Sequence, residues 1–490
     1  MISTKLVHLL RTFTKAEFAD FEAEVSIHYT GKKKDLKGFF LLLKKHYPKF
    51  DDPEFTKESV FKSLYPNKKF EDIRIRKLLS FTYKLAEDFL AKKVLKENDI
   101  VRDLLMLSEY RSRNLDKSFK ALSAKIDNEL SNSKISPDKY YNYRTTYYQE
   151  MLDYYAFEKN FPKSIEYQNK LIENITSHFL LTYYITTASK TAMESSYPYK
   201  MCSDVLEGIR DGLETDKFLV KAGDNEVIKP VVPFYYAAKA LANTDDIESY
   251  RTAKKLFLEN IDKFTKGMQY GIFLMLIIFN TARKNHNKNT KTDEETAREI
   301  LNIQKLQLEH GALIPLNKRY MSPIGFRNML LNAIHLDEFE WAEEFMESCI
   351  KLMEPKQRDN MERFSMAYME FAKKNFSKSL DHASGVKYET FFFKKDIMLL
   401  NFMLYFELEL YERAHYYIDT TQKYYSGTKE MVDSFKESHE NFLRYYKILL
   451  RYIDKQDKDI LEMNYIMLKA QDHVKNKKWL MNKYEGILNK

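Results

Sequence analysis

The chain has 490 residues, 44% hydrophobic and 31% charged, which supplies ample apolar surface for a core and excludes a disordered chain. Its 12 Gly and 11 Pro together fall under 5%, against about 12% in average usage. Hairpin and βα turns draw on both residues, so folds built on many such turns are excluded and long helices are expected. The net charge of +8 is uneven: the first 100 residues hold 21 Lys and Arg against 15 Asp and Glu, an excess of six.

Cys202 and Cys349 are far apart and form no C-x-x-C pair, so neither a disulfide framework nor a cysteine zinc site is expected. Lys5, His8 and Arg11 interrupt the apolar stretch at the start of the chain, which leaves no signal-peptide core. The longest apolar run, 272–279, has eight residues, far short of the roughly 20 a bilayer span requires. The expected location is the cytoplasm.

Taken in order, residues 1–98 read as a basic helical head. Thr14 and Glu17 form a T-x-x-E capping box before a stripe of Phe18, Phe21 and Val25. Leu36, Phe39, Phe40 and Leu43 make the next stripe, and a short helix over 57–64 stops before Pro66. A long helix follows, with Ile73, Ile75, Leu78, Leu79, Tyr83, Leu85, Ala86, Phe89 and Leu90 at helical spacing.

From residue 99 to 475 an element recurs: a polar turn, a bulky residue, then a small residue three places on. It reads Leu115–Ser118, Phe161–Ser164, Tyr199–Cys202, Tyr250–Ala253, Phe339–Ala342, Phe376–Ser379 and Tyr411–Ala414, with a weaker match at Ala297. Successive small residues lie 35 to 51 positions apart, the length of one helix pair in a helical solenoid. A small residue there lets the second helix approach the first closely. Residues 476–490 carry Trp479, Leu480, Tyr484 and Leu488 on one face and lysines on the other, the pattern of a terminal capping helix.

The segments Phe339–Trp341–Ala342, Asn375 to Leu380 and Leu410 to Ala414 resemble the entry into the second helix of a tetratricopeptide repeat, with Tyr405 where that family places a first-helix tyrosine. The family's first-helix glycine is missing, and most units exceed its length of about 34 residues. The resemblance implies an all-α chain: a helical head, then a right-handed superhelix of hairpins whose first helices line a concave face.

No H-E-x-x-H, Walker-type, G-x-G-x-x-G or G-x-S-x-G pattern is present. No catalytic residue, metal or cofactor is therefore expected. Tyrosine doublets recur, three of them seven residues apart between Tyr140 and Tyr155, a spacing that gives one helix two apolar faces. Asparagines interrupt apolar first helices at Asn280, Asn328, Asn332 and Asn401, where burial would demand partners. Under the resemblance Asn328 takes the place of an asparagine that hydrogen-bonds a bound peptide's backbone. Arg144, Tyr147, Arg327, Asn328, Asn332 and Asn401 are the candidate residues for a peptide or protein partner, with Lys318 and Arg319 adding positive charge near Asn328. The expected function is a non-enzymatic interaction scaffold. The alternative is a nucleic-acid-binding regulator that uses Lys68, Lys69, Arg74, Arg76 and Lys77 of the head against phosphates.

Overall fold

The computed structural model describes residues 3–29, 34–132, 137–196, 205, 208–209, 212–286, 290–315, 318–387, 391–428 and 433–489. Of these, 82% are helical, in 23 α-helices, with no strand among the described residues. No described helix is long and apolar enough to cross a membrane. The chain divides into two compact units: Met1–Asn132 with Gln149–Ser164, and Ser133–Tyr148 with Ile165–Lys490.

The first unit begins with five helices, Lys5–Leu10, Lys15–Ser26, Lys34–His46, Lys57–Leu64 and Asp72–Glu97. The expected capping box is present: Glu17 N–H donates to Thr14 Oγ1 at 3.2 Å and Thr14 N–H to Glu17 Oε2 at 2.6 Å. Phe13, Phe21 and Phe89 close a ring cluster with centroids 5.5 to 5.7 Å apart. Ile73 departs from its expected place in the core and is 68% exposed, while Ile75 is fully buried. Residues two apart on a helix face different ways, so one stripe cannot hold both. The pair Asp99–Ser112 and Asp116–Asn132 completes this unit together with 149–164, where Phe119 stacks on Tyr154 at 4.1 Å.

Further helix pairs follow in the second unit: Val232–Ala242 with Ile247–Glu259, Lys266–His286 with Thr290–Glu309, and Pro323–His335 with Phe339–Cys349. After these come Pro355–Ala372 with Phe376–Ser384, Phe391–Glu407 with Tyr411–Gly427, and Asp433–Lys455 with Lys458–Ala470. First helices also pack on the first helices of neighbouring pairs: 232–242 on 266–286 and 323–335 on 355–372. Phe364 meets Phe393 at 5.1 Å, and Phe402 meets Tyr446 at 5.1 Å. The terminal helix Lys477–Leu488 lies on 433–455 and 458–470 with Leu480 and Tyr484 fully buried.

Five of the turns between successive helices share one hydrogen-bond scheme. Asn114, Lys159, Asp337, Lys374 and Glu409 all take φ between 54° and 63°. Each donates its N–H to the carbonyl three residues back, and the next residue donates five back, as in Lys374→Phe371, 3.0 Å, and Asn375→Glu370, 2.8 Å. That is a Schellman ending with a left-handed residue at its turn. The residue after it also begins the next helix, accepting the N–H of the residue four on: Ala342→Glu338, 3.0 Å; Ser379→Asn375, 3.0 Å; Ala414→Leu410, 3.1 Å. Gly and Pro scarcity therefore does not remove tight turns here. Asn, Asp, Lys and Glu adopt the left-handed conformation instead.

Ala253, Ala297, Ala342, Ser379 and Ala414 are all fully buried, as the close-approach argument requires. In the earliest pair the equivalent position is Phe119, whose N–H donates to the Leu115 carbonyl at 2.9 Å. Ser118, expected to be the small contact residue, is exposed, so the register there shifts by one. Tyr199–Cys202 lies outside the described residues.

Candidate partner-binding site

The candidate residues fall into separate groups. In the helix Pro137–Phe157, Arg144 is 6% exposed and its guanidinium lies over the rings of Tyr140 and Tyr148 at 5.5 and 5.6 Å. Tyr147 is 3% exposed, with Tyr148 at 5.6 Å and Tyr167 at 6.4 Å. One member of each early doublet is buried, Tyr141, Tyr147 and Tyr154, and its neighbour is half-buried. The doublets thus pack a helix on two sides.

Asn332 turns inward and donates through Nδ2 to Ala297 O and Gln304 Oε1, both at 3.2 Å. Asn401 is buried. Its Nδ2 donates to the Tyr417 hydroxyl at 3.4 Å, while its Oδ1 meets no hydrogen-bond donor among the described residues. Asn280 satisfies itself on its own helix, donating to Leu276 O at 2.9 Å. Asn328 alone among these asparagines is exposed, and its Oδ1 accepts from Arg327 Nη1 at 2.6 Å. Lys318 and Arg319 are also exposed.

Arg327 belongs to a buried charged cluster whose other members the sequence reading did not single out. Its Nη2 donates to Asp396 Oδ1 at 2.7 Å and its Nε to Asp396 Oδ2, a two-armed pair. Burial by itself would raise the Asp396 carboxyl, but Arg327 and Lys395 hold it below the usual carboxylate range. The Tyr368 hydroxyl donates to the Asp396 carbonyl at 3.0 Å, and burial pushes that phenol well above its ordinary value. His439, 1% exposed, points Nδ1–H at the Phe435 carbonyl at 2.6 Å, which leaves Nε2 as an acceptor with no donor among the described residues. Burial drives its imidazole down to about 3, with Lys395 and Lys475 acting the same way. The neutral ring meets Tyr425 edge-on at 5.4 Å, and the Tyr425 hydroxyl is likewise buried without a partner among the described residues. One signal was available in the sequence: Lys394, Lys395 and Asp396 interrupt an otherwise apolar run from Phe391 to Leu400. Charges inside such a run are expected to be paired.

In the head, Arg74 pairs with Glu71 at 2.9 Å and lies over the Tyr65 ring at 5.2 Å, and Arg76 pairs with Asp72 at 2.5 Å. Lys68, Lys69 and Lys77 are exposed, beside exposed Phe70 and Ile73. Two of the five candidate cations there are thus matched by neighbouring carboxylates.

No family model matches the chain, and no curated protein or solved structure is detectably similar to it.

Proposed function

We propose that this chain is a non-enzymatic interaction scaffold, a tetratricopeptide-like superhelix of hairpins that holds a peptide or partner protein along its first helices. The observation that carries the reading is repetition. The same Schellman turn and buried small residue join the pairs at Asp337, Lys374 and Glu409. Successive first helices, meanwhile, pack on one another. Repeating units offer a series of like surfaces, and such surfaces suit an extended partner that makes many shallow contacts. Asn328 supports the site assignment, since its side chain stays exposed beside an arginine that fixes its carbonyl oxygen.

The test is affinity capture with the full chain, followed by binding measurements on the recovered partner. Asn328→Ala should weaken binding about tenfold or more with the melting temperature unchanged, as expected of a polar anchor. Wild-type affinity in Asn328→Ala would remove this residue from the site.

A further inference from the structure

Lys395 lies in the second turn of the helix Phe391–Glu407 and is 4% exposed. Its ammonium sits between the rings of Phe392 and Phe435, 5.3 and 5.4 Å from their centroids. The closest carboxylate oxygen, Asp396 Oδ1, is 3.6 Å away, too far for a full hydrogen bond. Both oxygens of that carboxylate already receive the two arms of Arg327. Among the described residues Asp396 is the one acceptor for the Lys395 amine, and the contact is a long one. One long contact to a carboxylate already shared with Arg327 is a poor replacement for the water a buried ammonium loses.

Charges act on it from neighbouring elements: Asp396 beside it, Arg327 from 323–335, and Lys475, while His439 of 433–455 responds to the Lys395 charge in turn. Tyr368 of 355–372 and Tyr425 of 411–427 interact with Asp396. Asp396 is the single carboxylate among the described groups that act on it. Phe435 and His439 belong to 433–455, which also packs on 391–407 through Phe402, Phe442 and Tyr446. The amine therefore sits at the seam between two first helices.

We propose that Lys395 is a proton-operated latch at this seam: the neutral amine keeps 391–407 seated on 433–455, and taking up a proton loosens the contact. The ammonium needs more acceptors than the seam supplies, and opening lets water add them. Burial pulls the group down to about 7; Asp396 opposes that shift, and Arg327 and Lys475 reinforce it. The transition therefore falls near neutral pH. His439 does not share the role, because it stays uncharged down to about 3.

The experiment uses the full chain. Lysine side chains labelled with ¹³C at Cε are titrated by NMR, and one resonance should show a midpoint near 7 and be absent from Lys395→Met. In parallel, hydrogen exchange, corrected for its intrinsic pH dependence, is followed from pH 8 to 6. Because the open form binds the proton with an ordinary lysine affinity, linkage predicts about tenfold more opening at pH 6 for peptides of 391–407 and 433–455. Lys395→Met, or Lys395→Gln if the first folds poorly, should lose that dependence. The proposal fails if every lysine in the wild type titrates above about 9. It also fails if the low titration is present but the exchange rates ignore it, or if both variants keep the wild-type response.

Discussion

Arg327 and Asp396 stand 69 positions apart and meet as a two-armed ion pair with side chains 12% and 2% exposed. The pair ties the helix 323–335 to 391–407, two pairs further along the chain. Removing one partner leaves a buried charge uncompensated, which costs about 3–5 kcal/mol. Arg327→Met should lower the urea unfolding free energy by that amount. The double variant Arg327→Met/Asp396→Leu should cost much less than the two single changes added together. A loss under about 1 kcal/mol in Arg327→Met would mean that the pair is not buried.

The left-handed turn residues allow a gain. Lys374 and Glu409 have φ of 63° and 58° and exposed side chains. That conformation costs a residue with a Cβ roughly 1–2 kcal/mol, which glycine avoids at some loss of unfolded-state freedom. Lys374→Gly and Glu409→Gly should each stabilise by up to about 1 kcal/mol in thermal or urea unfolding. Destabilisation in both would show that those turns are not left-handed.

The small positions should punish bulk. Ala342 and Ala414 are fully buried at the start of second helices, so Leu at either should overpack the pair and cost about 1–3 kcal/mol. Glu343, next to Ala342, forms an ion pair with Lys373 with its side chain still 42% exposed, and surface pairs contribute about 0–1 kcal/mol. Glu343→Leu should therefore change little. Equal losses at Ala342 and Glu343 would contradict the register.

Acid should weaken the first unit through Glu17. Hydrogen bonds from Lys93 and the Thr14 backbone lower its carboxyl from 4.5 to about 2. A carboxyl lowered on folding contributes stability above its unfolded value, lost as pH falls from about 4.5 toward 2. Glu17→Gln should flatten this part of the pH–stability curve. Thr14→Ala, which removes the cap, should cost about 0.5–2 kcal/mol. A wild-type curve that Glu17→Gln leaves unaltered would show that the box does not form.

What could be read from the sequence depended on whether the signal was local. The Thr14–Glu17 box and the buried Ala253, Ala342 and Ala414 follow from spacing within one or two helical turns. The turns were harder, because glycine is the usual mark of a left-handed residue, and Lys159, Lys374 and Glu409 carry that conformation with no such mark. Leu115 misled the register for a related reason: it is the helix-starting residue itself, so the contact passes to Phe119 rather than Ser118. Arg327 was singled out for a partner, but Asp396, 69 positions on, was not. Pairing across that distance depends on tertiary packing that no local pattern encodes.

The most direct measurement of the central claim is hydrogen exchange on the full chain with and without its captured partner, read peptide by peptide. Protection is expected on first helices, foremost 323–335 around exposed Asn328, with second helices such as 339–349 and 376–384 nearly unchanged. Protection confined to second helices would contradict it. So would protection confined to the head around Lys68, Lys69 and Lys77, with a bound nucleic acid released steeply by salt as phosphate contacts require.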